Sequence, residues 1–175
     1  MGSRPLRADA QRNRDLLLAA AARVFAERGT EAPLDDVARR AGVGNATMYR
    51  HFPTRSDLLA AVYADEVAQL CARADSLRST EPPAEALHDW LRLFMDHITS
   101  KRDLALAVTD DSTLHADWHR SMLDTASGLL DEAKRAGAVR ADLDVRDLLT
   151  LIKGISLAAT DRPQAERLLS LVNWT

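Results

Sequence analysis

Apolar residues recur every three or four positions along almost the whole chain, which is the spacing of helices that bury one face. No stretch alternates apolar and polar residues over the length of a strand. The pattern therefore predicts an all-α protein of about nine helices. The expected helices cover residues 8–28, 34–41, 45–51, 54–77, a segment that holds Leu87 to Ile98, 102–108, 113–135, 145–160 and 163–174.

Glycine and proline mark the ends of the first helices. Gly29 is a natural left-handed stop for the first helix, and Gly42 follows the end of the second. Pro53 separates the third helix from the fourth. Thr54 and Asp57 have the spacing of a capping box, which predicts that the fourth helix begins here.

The third predicted helix, 45–51, is too short to bury a core of its own. It follows a short amphipathic helix and a glycine stop, which is the layout of a helix-turn-helix that presents its second helix to the DNA major groove. We therefore divide the chain into a three-helix DNA-binding head, residues 1–55, and a helical body, residues 56–175. The long fourth helix joins the two.

The charge distribution supports this division. The whole chain has a formal net charge of −3, yet residues 1–55 hold ten arginines against six acidic residues, a charge of +4. Residues 56–175 hold 13 basic and 20 acidic residues, a charge of −7. A basic head suits a polyanion such as double-stranded DNA, while the acidic body stays away from it.

Several classes of protein are excluded by what the sequence lacks. It has no Gly-rich phosphate loop and no Gly-x-Ser-x-Gly motif, so we expect neither an enzyme nor a cofactor. His115 and His119 have a spacing that allows a shared metal, but nothing supports a third ligand and we expect none. No apolar run nears the roughly 20 residues of a membrane span. Without a signal peptide, and with Cys71 expected in the core, the chain is expected to be cytoplasmic.

Four segments of the head are similar to the N-terminal domain of TetR-type transcriptional regulators. They read LLAAAARVFAERG from position 17, VARRAGV from 37, ATMYRHF from 46 and RSDLL from 55. The similarity covers Ala8–Val62, about a third of the chain. The rest shares only the number of helices and a weak similarity at Asp144–Val172. In that family the body dimerises and senses a ligand.

The resemblance assigns DNA contacts to the short third helix. The helix begins with three residues that are expected to meet base edges or adjacent phosphates, and two later residues stand where family members grip phosphates. These are Asn45, Ala46 and Thr47 in the first group, and Tyr49 and His51 in the second.

The arginines around this helix complete the expected interface. For Arg50, two contacts remain as alternatives: a guanine edge or a phosphate. Arg55 stands where the family usually has lysine and suits a phosphate at the start of the fourth helix. Residues 1–7 are expected to form a mobile arm, and Asp35 and Asp36 are expected to face away from the DNA backbone. Further contacts are expected from Arg4, Arg7 and Arg12.

The last two helices carry small and apolar residues that suggest a homodimer. Gly154 lies inside a helical run, where it costs roughly 1 kcal/mol relative to alanine, and Ala158 follows one turn later. Half of an intersubunit four-helix bundle explains this pattern, and so does ordinary packing within one chain. The candidate interface residues are Leu151, Gly154, Ile155, Ala158, Leu168 and Leu171.

Aromatic and methionine side chains of the body suggest a cavity for a largely apolar small molecule. A filled core is the alternative explanation for the same residues. The candidates are Tyr63, Trp90, Phe94, His97, Trp118 and Met122.

These observations predict a homodimeric repressor that binds a palindromic operator in double-stranded DNA and is released by a small-molecule effector. The effector biases the dimer by preferring an arrangement that does not bind DNA. The alternative is an architectural or adaptor DNA-binding protein with no effector.

Overall fold

The computed structural model describes residues 4–108 and 112–172, with side chains for residues 8–108 and 116–172. These residues form nine helices and no strand, which confirms the all-α prediction. The helices are α1 Arg4–Arg28, α2 Leu34–Ala41, α3 Asn45–His51, α4 Arg55–Thr80, α5 Pro83–Ser100, α6 Arg102–Ala107, α7 Ser112–Arg135, α8 Val145–Ala158 and α9 Arg162–Ser170.

Some helix ends differ from the prediction. Helix α1 begins at Arg4, so residues 4–7 are helical rather than an arm, and the side chains of Arg4 and Arg7 lie outside the described residues. Helix α8 ends at Ala158 rather than near Thr160. The backbone is extended at Ala159, and Asp161 then caps the next helix, with its carboxylate accepting a hydrogen bond from the Gln164 N–H at 2.7 Å.

The chain forms two compact units. Of the described residues, unit 1 contains those up to Glu66 together with 103–108, and unit 2 contains Val67–Arg102 together with 112–172. Helix α4 therefore contributes its first part to unit 1 and its second part to unit 2. The functional boundary expected after residue 55 marks the start of α4, whereas the units divide inside that helix.

The core of unit 1 lies where its first three helices pack together. Helix α1 packs against α2 and α3, and α2 packs against α3. Arg14 of α1 lies over the Phe52 ring, with 5.8 Å between its Cζ atom and the ring centroid. The fully buried core side chains of this unit include Leu17, Ala21, Val37, Ala38, Met48 and Leu58.

Unit 2 is built around helix α5, which packs against α7 and α8, while α9 packs against α8. Trp90 is fully buried at its centre, stacked on Phe94 at 5.6 Å between ring centroids. The Trp90 indole N–H donates to the Leu70 carbonyl at 3.0 Å, so its polar atom is satisfied.

Three further observations concern the cysteine, the membrane and the metal expectations. Cys71 is half-buried, so the prediction of a core position is wrong. None of the helices in the described residues combines the length and apolarity of a membrane crossing. No three metal-binding side chains come together within the same residues, and His115 lies outside the described side chains.

Candidate nucleic-acid interface

The turn between α2 and α3 is set by glycine. Gly42 adopts a left-handed conformation, φ 67°, which lets the chain reverse after α2. The Val43 N–H then donates to the Ala38 carbonyl at 3.0 Å, and the Val43 side chain is buried. Gly44 stands at the N-cap of α3. This is the tight turn of a helix-turn-helix, and it fixes where α3 begins.

Helix α3 has one buried side and one exposed side. Met48 is fully buried and Phe52, just after the helix, is 3% exposed, so these two side chains anchor α3 in unit 1. Tyr49 is 46% exposed, although it is a large aromatic residue. Five other predicted contact residues lie on the accessible part of the helix: Asn45, Ala46 and Arg50 are exposed, while Thr47 and His51 are half-exposed.

Ion pairs fix α2 against α1. Arg40 donates to both carboxylate oxygens of Glu27, at 2.5 and 2.7 Å. The hydrogen bonds from Arg40 lower the pKa of Glu27, so this pair is charged well below neutral pH. Asp36 is bound by Arg28 at 2.6 Å and also by Arg39. The Arg40–Glu27 and Arg28–Asp36 pairs join the end of α1 to α2, whereas the Arg39–Asp36 pair lies within α2.

Asp35 contacts the first residue of α3. The expectation that Asp35 and Asp36 face away from the DNA backbone stays a prediction, and the Asn45 Nδ2 atom donates to Asp35 Oδ1 at 3.0 Å. Asp35 therefore lies beside the first residue of α3. No sequence signal pointed to this contact, because it depends on how the α2–α3 turn brings the two helix starts together.

The Arg50 side chain runs along α3 towards the N-terminal end of the helix. Its Nε atom donates to the Ala46 carbonyl at 3.1 Å, and its Nη2 atom donates to Thr47 Oγ1 at 2.9 Å. The guanidinium group is thus held over the first turn of α3, beside the residues expected to meet base edges.

Arg55 makes contacts that the sequence did not predict. Its Nη1 atom donates to the Thr30 carbonyl at 2.6 Å and to the Ala32 carbonyl at 2.8 Å. The capping box beside it formed as predicted: the Thr54 N–H donates to Asp57 Oδ2 at 2.9 Å and the Asp57 N–H donates to Thr54 Oγ1 at 3.1 Å. Arg55 therefore links the start of α4 to the α1–α2 turn.

Replacing Arg55 by alanine is expected to lower the free energy of unfolding by about 1.5–3 kcal/mol, because the two carbonyls lose a charged donor. Urea denaturation followed by circular dichroism measures this loss. Arg50→Ala is the matched control, since that arginine is exposed and its hydrogen bonds to described residues lie within its own helix. Equal denaturation midpoints for the two variants would contradict the structural role of Arg55.

The residues predicted to bind a ligand are buried. Trp90, Phe94, His97, Trp118 and Met122 belong to unit 2. Tyr63 belongs to unit 1, where burial raises the pKa of its phenol.

Unit 2 has a groove of about 470 Å³, and none of these six residues lines it. It lies among the C-terminal end of α5, the end of α8 and the start of α9. Several of its polar groups already have partners within the chain: Arg162 contacts Asp96 at 3.0 Å and Glu166, outside the groove, at 3.1 Å. The Ser156 hydroxyl donates to the Ile152 carbonyl at 2.7 Å.

The residues predicted to form a dimer interface divide between a buried and an exposed side of α8 and α9. Ile155 is buried within the chain, whereas Leu151 is 45% exposed and Leu171 is 77% exposed. Gly154 and Ala158 are exposed and Leu168 is half-exposed. A Cβ atom added at Gly154 would meet no atom within 4 Å.

Comparison with known proteins agrees with this architecture. Residues 17–62 match the family described as bacterial regulatory proteins, tetR family. Residues 82–173 match the family described as transcriptional regulator SbtR-like, C-terminal domain.

Two crystal structures are similar over most of their length. The TetR transcriptional regulator SCO0520 from Streptomyces coelicolor is 42% identical, with a TM-score of 0.78 over 90% of this chain and 94% of that one. The TetR transcription regulatory protein from Mycobacterium vanbaalenii is 35% identical, with a TM-score of 0.80 over 97% and 99%.

A third relative is the HTH-type transcriptional activator FasR of Mycolicibacterium smegmatis. It is 36% identical over 87 residues, which are 49% of this chain and 40% of the relative. The matched region therefore spans less than half of that activator.

The helix-turn-helix and the helical body define a DNA-binding transcriptional regulator rather than an enzyme. This chain belongs to the TetR family of transcriptional regulators.

Proposed function

We propose that the chain is a cytoplasmic, homodimeric repressor that binds a palindromic operator and is released by a small molecule. DNA binding is supported above all by helix α3, which has one buried side and one exposed side. Met48 fixes its inner side in the core while a large aromatic residue, Tyr49, stays exposed on its outer side. A helix held in this way suits insertion into a major groove.

The proposed interface uses the residues assigned from the sequence. Asn45, Ala46 and Thr47 meet base edges or nearby phosphates, and Tyr49 and His51 contact phosphates. Arg55 contacts phosphate with its remaining donors while its Nη1 atom holds the Thr30 and Ala32 carbonyls. The charge of +4 on residues 1–55 favours this approach.

We assign Arg50 to base readout, because its guanidinium group is held over the N-terminal turn of α3, the part of a recognition helix that faces base edges. Arg50→Ala is expected to cost about 1–3 kcal/mol at one base pair of each half-site and to relax the preference there. Binding measurements on a panel of operator variants test this. Arg135→Ala removes the same charge from an exposed site in unit 2 and should leave the preference unchanged. Equal weakening on every sequence by Arg50→Ala would assign Arg50 to phosphate instead.

The second subunit is proposed to cover the exposed side of α8 and α9. Leu151, Leu157 and Leu171 are large apolar residues exposed on these two helices. The open space at Gly154 means that the folded chain has no steric need for glycine there. Close approach of a partner helix explains both observations.

The effector is proposed to be largely apolar and to bind in unit 2. The aromatic and methionine side chains there provide apolar contacts, and binding requires them to move apart. The groove beside α9 is a weaker candidate, since Asp96, Arg162 and the Ser156 hydroxyl already have partners within the chain. A ligand that prefers the DNA-free arrangement shifts the population by its differential affinity alone.

Selection of bound sites from random DNA tests the function. A two-fold symmetric consensus, followed by reduced transcription from a reporter that carries it, supports a dimeric repressor. Increased transcription would instead assign an activator, as named for the FasR relative. A compound screen completes the test: release of the operator together with a raised melting temperature supports sensing. A protein that binds DNA but responds to no compound would be the architectural or adaptor alternative.

A further inference from the structure

Asp35 sets the direction of the Asn45 amide. Both side chains are exposed, and the Asn45 Nδ2 atom donates to Asp35 Oδ1 at 3.0 Å. An ionised carboxylate only accepts hydrogen bonds, so the amide has to turn its nitrogen towards α2. Because Asp35 can only accept, it fixes which way the Asn45 amide points, whereas the oxygen and nitrogen of an amide are otherwise interchangeable by a flip.

The amide oxygen of Asn45 is left as an acceptor for an external group. Within the described residues, Asn45 Oδ1 accepts no hydrogen bond. A base edge that offers an amino group matches this acceptor, whereas a base edge that offers a carbonyl oxygen does not.

The negative charge of Asp35 also favours a base edge that donates a hydrogen bond. Asp36, its neighbour, is neutralised by Arg28 and Arg39. Asp35 has no arginine, lysine or histidine within ion-pair distance in the part of the chain that the structure describes. Its carboxylate therefore adds an uncompensated negative charge beside Asn45, which disfavours carbonyl acceptors and favours amino donors.

We propose that Asp35 is a specificity-determining residue of the head. It positions Asn45 so that the pair selects adenine N6 or cytosine N4 over guanine O6 and thymine O4 at one position of each half-site. The inference rests on the proposed DNA contact of Asn45 and extends it, by naming the residue of α2 that decides which bases Asn45 accepts.

Asp35→Asn is the variant that tests this proposal, because it keeps the shape of the side chain. The new amide both donates and accepts, so Asn45 is free to present either edge. Glu31→Gln is the matched control. It removes the same charge from an exposed residue of the α1–α2 turn and leaves the Asp35–Asn45 contact intact.

Site selection from random DNA is carried out with the full-length protein and these variants. Asn45→Ala first identifies the position that Asn45 contacts, as the one whose preference it removes. At that base pair the wild-type protein is expected to favour, by roughly tenfold, the orientation that puts adenine or cytosine on the strand read by Asn45, and Asp35→Asn is expected to reduce this preference to about twofold or less. Glu31→Gln should keep the wild-type preference. Circular dichroism confirms that each variant is folded.

The outcomes separate this inference from the proposed function. A wild-type protein that shows no preference for one orientation of that base pair overturns the inference, and so does an unchanged preference in Asp35→Asn. A similar loss in Glu31→Gln also overturns it, because the effect would then come from charge alone. A wild-type protein that selects no consensus overturns the proposed function instead.

Discussion

Replacing Gly154 by leucine is expected to separate the proposed dimer into monomers and to lower operator affinity by about 10²–10⁴-fold, the gain that linked half-site binding provides. The reason is steric. Leu151 and Ala158 lie on the same side of α8 as Gly154, and all three are exposed in the single chain. A partner helix that packs closely at Gly154 has no room for a leucine side chain.

The same substitution should not harm the isolated chain. A Cβ atom at position 154 meets nothing within 4 Å, and its φ is not in the left-handed region. Replacing glycine in a helix also removes a cost of about 1 kcal/mol relative to alanine. The variant is therefore expected to stay folded while it loses its partner, which separates an interface effect from misfolding.

Sedimentation velocity and operator binding measure the two effects together. Ala72→Leu is the matched control, because it adds a leucine at an exposed position of α4, a helix outside the proposed interface. We expect that control to stay dimeric. If Gly154→Leu sediments as an unaltered dimer, the subunits meet through another surface.

Replacing Trp90 by alanine is expected to lower the free energy of unfolding by about 3–5 kcal/mol, the largest stability effect of any substitution considered. Trp90 is fully buried, and the variant loses its stacking on Phe94 as well as its hydrogen bond to the Leu70 carbonyl. Urea denaturation measures the loss.

Trp90→Phe is the matched variant for this prediction. It keeps an aromatic ring against Phe94 but removes the indole N–H, so we expect a smaller loss than for alanine. A denaturation midpoint unchanged by Trp90→Ala would show that the site is loosely packed. That result would favour the cavity interpretation of the cluster over a filled core.

Much of the fold was predictable from the sequence because its signals are local. The bounds of α2 and α3 were predicted to the residue, since Gly42 and Gly44 enclose the turn and the apolar positions fall on one side of each short helix. The capping box at Thr54 and Asp57 formed because it needs only three residues of spacing. The resemblance to TetR-type regulators rested on these same segments and was confirmed.

The less accurate predictions concern places where local signals are weak or where distant segments meet. The polar start of α1 looked like an arm, yet the helix begins at Arg4. Cys71 fitted a core pattern and is half-buried, because helical spacing does not tell how completely neighbouring helices cover a residue.

By itself, the sequence determined the helical class, the helix-turn-helix and the basic head, because periodicity, caps and charge are properties of neighbouring residues. Tertiary structure alone decided the partners of Asp35 and Arg55, since Arg55 bonds to carbonyls 23 and 25 residues earlier in the chain. It also separated Ile155, buried in its own chain, from Leu151, which is exposed. Both are apolar residues of one helix, and only the packing of α8 against its neighbours distinguishes the side that faces the core from the side that faces outward.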